Sequence, residues 1–132
     1  MIRLTVPTQS RSQFVEITEE IQSLLLSSGV KTGSCIVYVP HTTAGITIQE
    51  NADPDVVHDI LLWLNQHVSK NFPGFRHAEG NSDSHIKASL FGSSVTVLIE
   101  NGKLVFGTWQ GIYLCEFDGP RTRSVFVQIH GS

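Results

Sequence analysis

The 132-residue chain is long enough to bury its own core as one domain, residues 1–132, and 40% of it is hydrophobic. Its net charge is −3 with no basic block, which argues against nucleic acid as a partner, because neutralising phosphates takes clustered Lys and Arg. No apolar run approaches the ~20 residues that span a bilayer, and Met1-Ile2-Arg3-Leu4 does not resemble a signal peptide, so a cytoplasmic protein away from membranes is expected.

Ile2 to Val6 alternates apolar and polar residues and predicts a first strand closed by Pro7. Ser12 to Ile17 predicts a second. Thr18-Glu19-Glu20-Ile21 opens a helix, with acids at its positive end, and Gly29 stops it. Gly33 to Val39 predicts a strand with Cys35, Val37 and Val39 on one face and Ile36 and Tyr38 on the other, both faces covered. Cys35 and Cys115 read as buried strand thiols in a reducing compartment. His41-Thr42-Thr43-Ala44-Gly45 forms a loop before a strand through Ile46 and Ile48. Asp53-Pro54 starts a helix running to about Val68.

After a loop at residues 71–76 comes His77-Ala78-Glu79-Gly80-Asn81-Ser82-Asp83-Ser84-His85, a polar run with no large apolar side chain. A short helix is expected over residues 84–90, capped by Asp83 or Ser82. Val95 to Glu100 is a strand, Asn101-Gly102 a hairpin turn, and Lys103 to Phe106 its return. Ile112 to Phe117 and Arg123 to His130 complete a set of seven or eight strands with two or three helices. That pattern is α+β with a mostly antiparallel sheet or sandwich.

His41, His77 and His85 lie where strand or helix ends meet loops, the usual place for a site. Three imidazoles suffice for a catalytic zinc-like centre with one open position. A metal-free, hydrogen-bonded polar loop is the alternative reading of the same residues. Glu50, Asn51 and Asp53 are oxygen donors suited to magnesium shared with a phosphorylated substrate. Arg121 and Arg123 form the one tight basic pair, and a guanidinium fork suits phosphate. Lys87 is the nearest cation to His85 in sequence. No Walker loop, G-x-G-x-x-G or G-x-S-x-G is present.

His41-Thr42-Thr43-Ala44, Gln49-Glu50-Asn51-Ala52-Asp53, the His77–His85 run, and Gly107-Thr108-Trp109-Gln110-Gly111 through Asp118-Gly119-Pro120-Arg121 together resemble the YjbQ family. That family is also described as secondary thiamine-phosphate synthase. The resemblance spans nearly the whole chain. It implies a compact α+β domain of two packed sheets, assembled as a homotrimer. It also implies a divalent metal, zinc first, held by His41, His77 and His85, with Mg²⁺ accompanying a small phosphorylated substrate. Glu79 and Asp83 are the expected catalytic carboxylates. Asn51, Asn81, Lys87, Trp109 and Arg121 are the expected substrate contacts. The implied reaction joins an aminopyrimidine diphosphate to a thiazole phosphate. A metal-dependent hydrolase and a non-catalytic anion-binding trimer remain as alternatives.

Overall fold

A computed structural model describes residues 1–132. The chain runs β1 (Ile2–Pro7), β2 (Gln13–Glu16), α1 (Thr18–Ser28), β3 (Gly33–Tyr38), β4 (Ala44–Glu50), α2 (Pro54–His67), α3 (Ser82–Phe91), β5 (Ser94–Glu100), β6 (Lys103–Leu104), β7 (Gln110–Glu116) and β8 (Thr122–Gly131). The α+β class and the strand-rich C-terminal half are as expected. Every strand pair is antiparallel.

The strands form a five-stranded sheet ordered β1-β8-β3-β5-β6 and a three-stranded sheet ordered β2-β7-β4. Period-two alternation builds the core between them. Cys35, Val37, Val97, Ile99, Val125 and Val127 point inward from the large sheet and meet Ala44, Ile46, Ile112 and Leu114 from the small one. Ile21 and Leu25, four apart on α1, pack into the same core. The alternate residues of β7, Tyr113 and Cys115, face the other way. With Phe117 they pack on Leu64 of α2 and Ala88 of α3. The small sheet is therefore buried on both faces, and α2 and α3 form a third layer behind it. Cys35 and Cys115 are free, buried thiols. Burial raises the Cys35 thiol to about 11.

Three local expectations change. The outer face of β3 is open in the single chain, where Ile36 and Tyr38 are each 44% exposed and Leu98 of β5 is 63% exposed. The return of the Asn101-Gly102 hairpin shortens to Lys103–Leu104, because Leu104 is the one buried apolar residue of the return. The N-cap of α3 is Asn81, which makes no side-chain capping bond. Asp83 does not cap because its carboxylate is bonded elsewhere.

Candidate functional site

The His77–His85 run is half turn and half helix. Gly80, at a φ of 70°, lets residues 77–80 close with its N–H donating to the His77 carbonyl at 3.2 Å. Asn81 then starts α3, and its carbonyl accepts from the Ser84 N–H at 3.0 Å. Helix geometry turns about 100° per residue, so side chains two apart fall on opposite sides. Asn81 and His85, four apart, share one side. Asp83 and Lys87, also four apart, share the other.

Asn81 and His85 face a polar cleft of about 800 Å³ that also exposes His41, His77, Glu79, Asp118, Arg121 and Arg123. His77 and His85 meet edge to face, ring centroids 5.4 Å apart and planes at 90°. Glu79 lies 4.0 Å from Nε2 of His77. Nδ2 of Asn81 donates to Asp118 Oδ2 at 2.7 Å, whereas its Oδ1 is buried without a partner. Such an acceptor calls for a cation or a hydrogen-bond donor. Arg121 donates through Nε to the Asp118 carbonyl at 2.8 Å and through Nη2 to its carboxylate at 3.1 Å. It remains half-exposed at the cleft.

His41 follows Pro40 at the end of β3, and its Nε2 accepts the Ser124 backbone N–H at 2.9 Å. That bond fixes the neutral ring with its proton on Nδ1. Burial, reinforced by the charge of Arg123, holds the imidazole below its ordinary pKa. Behind it lies a buried pair that sequence reading missed. Glu116 accepts from Arg123 through Nε at 2.8 Å and through Nη2. It also accepts from the Thr8 hydroxyl at 2.8 Å and the Asp118 N–H at 3.0 Å. Arg123 Nη2 reaches on to Thr43 Oγ1 at 2.9 Å. Burial pushes the Glu116 carboxyl up, but these donors outweigh it and hold the group below the ordinary range. The available signal was a carboxylate between Cys115 and Phe117 in an otherwise apolar strand, since a charge there needs a buried partner.

A second depression, about 530 Å³, adjoins the first and shares His41, Thr42, His85 and Ser93 with it. The two imidazoles therefore stand at the junction of two spaces.

The other expected residues lie elsewhere. Asp83 and Lys87, each 1% exposed, form a network with the partly exposed Arg11 on the far side of α3. Asn51 donates to Glu16 Oε2 at 3.0 Å at the opposite end of β4. Trp109 is 60% exposed in the bend before β7 and lines neither depression. Asp53 caps α2, accepting from the Asp55 N–H at 2.9 Å. The structure gathers no three His, Cys, Asp or Glu side chains into a group able to hold a metal ion. His77 and His85 are the only two of the expected ligands whose rings meet. Nε2 of His41 is occupied by the Ser124 amide.

These features define a two-sheet α+β protein with a histidine-lined polar cleft at the junction of its sheets and α3. The family model described as UPF0047 protein YjbQ-like matches residues 2–132, and the chain belongs to that family. It is 52% identical to UPF0047 protein MJ1081 of Methanocaldococcus jannaschii, covering 99% of this chain and 94% of that one. Identity to UPF0047 protein YugU of Bacillus subtilis is 47%, over 97% of each. A crystal structure of an uncharacterized YjbQ/UPF0047 protein from Clostridium acetobutylicum superposes with a TM-score of 0.96 at 54% identity, covering 98% of this chain and 100% of that one. A YbjQ-like protein of unknown function from Sulfolobus solfataricus gives 0.93 at 32% identity, over 99% and 96%.

Proposed function

We propose that this protein is an enzyme that joins two small molecules, one of them a diphosphate, over His41 and His85. The observation that carries this reading is the pair of adjoining depressions, about 800 and 530 Å³, that meet at those two imidazoles. Two spaces sharing one wall suit two organic substrates better than one substrate and water. In the reading drawn from the family resemblance, the substrates are an aminopyrimidine diphosphate and a thiazole phosphate. The thiazole nitrogen forms a bond to the pyrimidine methylene carbon. The carbon–oxygen bond to diphosphate breaks, and its electron pair leaves with the diphosphate.

The residues at hand have matching roles. Arg121 pairs with phosphoryl oxygens, a fork-to-anion contact. His41, neutral with Nδ1–H, donates a hydrogen bond without adding charge. His77 and His85 would hold a divalent metal, zinc in this reading; Mg²⁺ would travel with the diphosphate. Such an ion supplies positive charge to the leaving group. Glu79, at the rim 4.0 Å from His77, is the carboxylate near enough to act with it on a bound substrate or water.

Assembly belongs to the same proposal. Ile36, Tyr38 and Leu98 form an open apolar face on the large sheet, and Tyr38 also lines the cleft. A homotrimer packed on that face would border the site. No helix is long and apolar enough to cross a membrane, and two buried free thiols suit a reducing cytoplasm.

Incubation of the pure protein with both precursors and Mg²⁺ tests the reaction. Thiamine phosphate above a His85→Ala control is the expected result. Turnover of either phosphate ester alone, without coupling, would replace this reading with a hydrolase. No turnover together with ligand-induced thermal stabilisation would make the cleft a binding site only.

A further inference from the structure

Asp83, Lys87 and Arg11 lie on the far side of α3 from the cleft, and nothing in the proposed reaction uses them. Arg11 Nη1 and Nη2 each donate to the Asp83 carboxylate at 3.0 Å. Lys87 Nζ donates to Asp83 Oδ2 at 3.1 Å and to Asn65 Oδ1 at 2.9 Å. An ammonium has three N–H donors, so one of Lys87's has no protein acceptor, although the side chain is only 1% exposed. Two cations hydrogen-bond to one carboxylate, Asp83; Asp118, itself paired with Arg121, acts on Arg11 only at longer range, so the bonded group holds more cations than anions. Burial pushes the Asp83 carboxyl up, but its bonds to Arg11 and Lys87 outweigh this and hold it ionised. The excess is therefore not relieved by the acid.

A depression of about 370 Å³ opens on this network, lined also by Ser12, Asn65, Val68 and Lys70. Lys70 is exposed and adds a third cation. Of the cations only Lys87 is buried, Arg11 being 34% exposed, and a buried ammonium with an unfilled donor favours a counter-charge. The unclaimed Lys87 N–H, the Ser12 hydroxyl and the Lys70 ammonium are all donors, and all line one space large enough for a phosphoryl group.

We propose that this depression, formed by Arg11, Ser12, Lys70 and Lys87, is a second oxyanion site that takes phosphate or the phosphoryl end of a small metabolite. It is separated from the histidine cleft by the body of α3 and does not depend on the reaction assigned to that cleft. Asp83 is a positioning residue here, holding Arg11 and Lys87 together.

Amide NMR of the full chain, titrated with inorganic phosphate at ionic strength held constant with chloride, tests it. The expected result is a saturable shift of the Ser12, Lys70 and Lys87 amides. Lys87→Met removes a charge-assisted bond at similar side-chain volume, leaves the Arg11–Asp83 pair intact, and should weaken that response about ten-fold or more. Lys70→Ala, on the surface and harmless to folding, should weaken it a few-fold. Arg121→Ala should leave it unchanged, which separates this site from the cleft. Glycerol phosphate in place of phosphate distinguishes the two sources: tighter binding assigns the site to a phosphomonoester, equal binding to the free anion. Shifts that are absent or never saturate, or that Lys87→Met and Lys70→Ala leave untouched, would overturn the proposal.

Discussion

Asp83 and His85 stand two residues apart in one polar run, yet they lie on opposite sides of α3. Read as a loop, the run offers all its groups to one site. As a helix from Ser82 onward, it divides them at about 200°. The histidine side of the site was legible in the sequence because His77 and His85 flank the turn. Asp83 and Lys87 were not, because their partner Arg11 is 72 residues from Asp83. Different substitution costs follow. Asp83→Ala leaves Lys87 and Arg11 uncompensated and should cost about 3 kcal/mol in urea denaturation. His85→Ala, at the cleft, should cost under about 1 kcal/mol. The pH dependence has the same origin. Asp83 and Glu116 both have carboxyls depressed on folding. Their contribution is fully present above the unfolded carboxylate values, about 4, and is lost as the pH falls through the lower folded values. Stability measured by denaturation should thus be flat from pH 6 to about 5 with respect to these two groups and fall below about 4. In a Glu116→Gln variant that fall should be shallower.

Among the elements, α2 was the most legible, since Asp53-Pro54 is a local start signal and the cap is made within two residues. Asp53→Ala should therefore cost about 1 kcal/mol, measured by thermal or urea unfolding, with no change at the cleft. Strands were legible as short apolar-rich runs between turn residues, as in β3 and β5. Strand β7 was legible as an apolar run, Ile112 to Phe117 against the observed Gln110–Glu116, but with both faces buried the run does not show which residues face which layer. Its last residue, Glu116, binds the nearby Asp118 and Arg123 and also Thr8, 108 residues away. Gly119 follows in a corner where a Cβ would strike the Ser10 carbonyl, Glu116 and Thr8. Gly119→Ala should destabilise the protein by roughly 1–3 kcal/mol, the range of an overpacked site, and disturb Arg121 beyond it. No local pattern announces such a corner, because its walls come from the other end of the chain.

At the scale of the whole molecule, the two-sheet α+β core agrees with the family resemblance, while Ile36, Tyr38 and Leu98 leave an open apolar face on the large sheet. If copies pack there, Leu98→Glu should convert the assembly to monomer in sedimentation analysis while circular dichroism stays unchanged; a wild type that is itself monomeric would contradict the packing. The cleft is the point on which the functional reading depends. The most direct measurement is a calorimetric titration of the wild type with inorganic diphosphate and Mg²⁺, beside His85→Ala, Arg121→Ala and Lys87→Met. Diphosphate should bind the wild type and lose about ten-fold or more in affinity in both His85→Ala and Arg121→Ala, each of which removes a charge-assisted or metal-mediated contact. Lys87→Met should leave this cleft's binding unaltered. Absence of binding to the wild type, or binding by His85→Ala and Arg121→Ala as tight as by the wild type, would contradict the assignment of the histidine cleft as a diphosphate site.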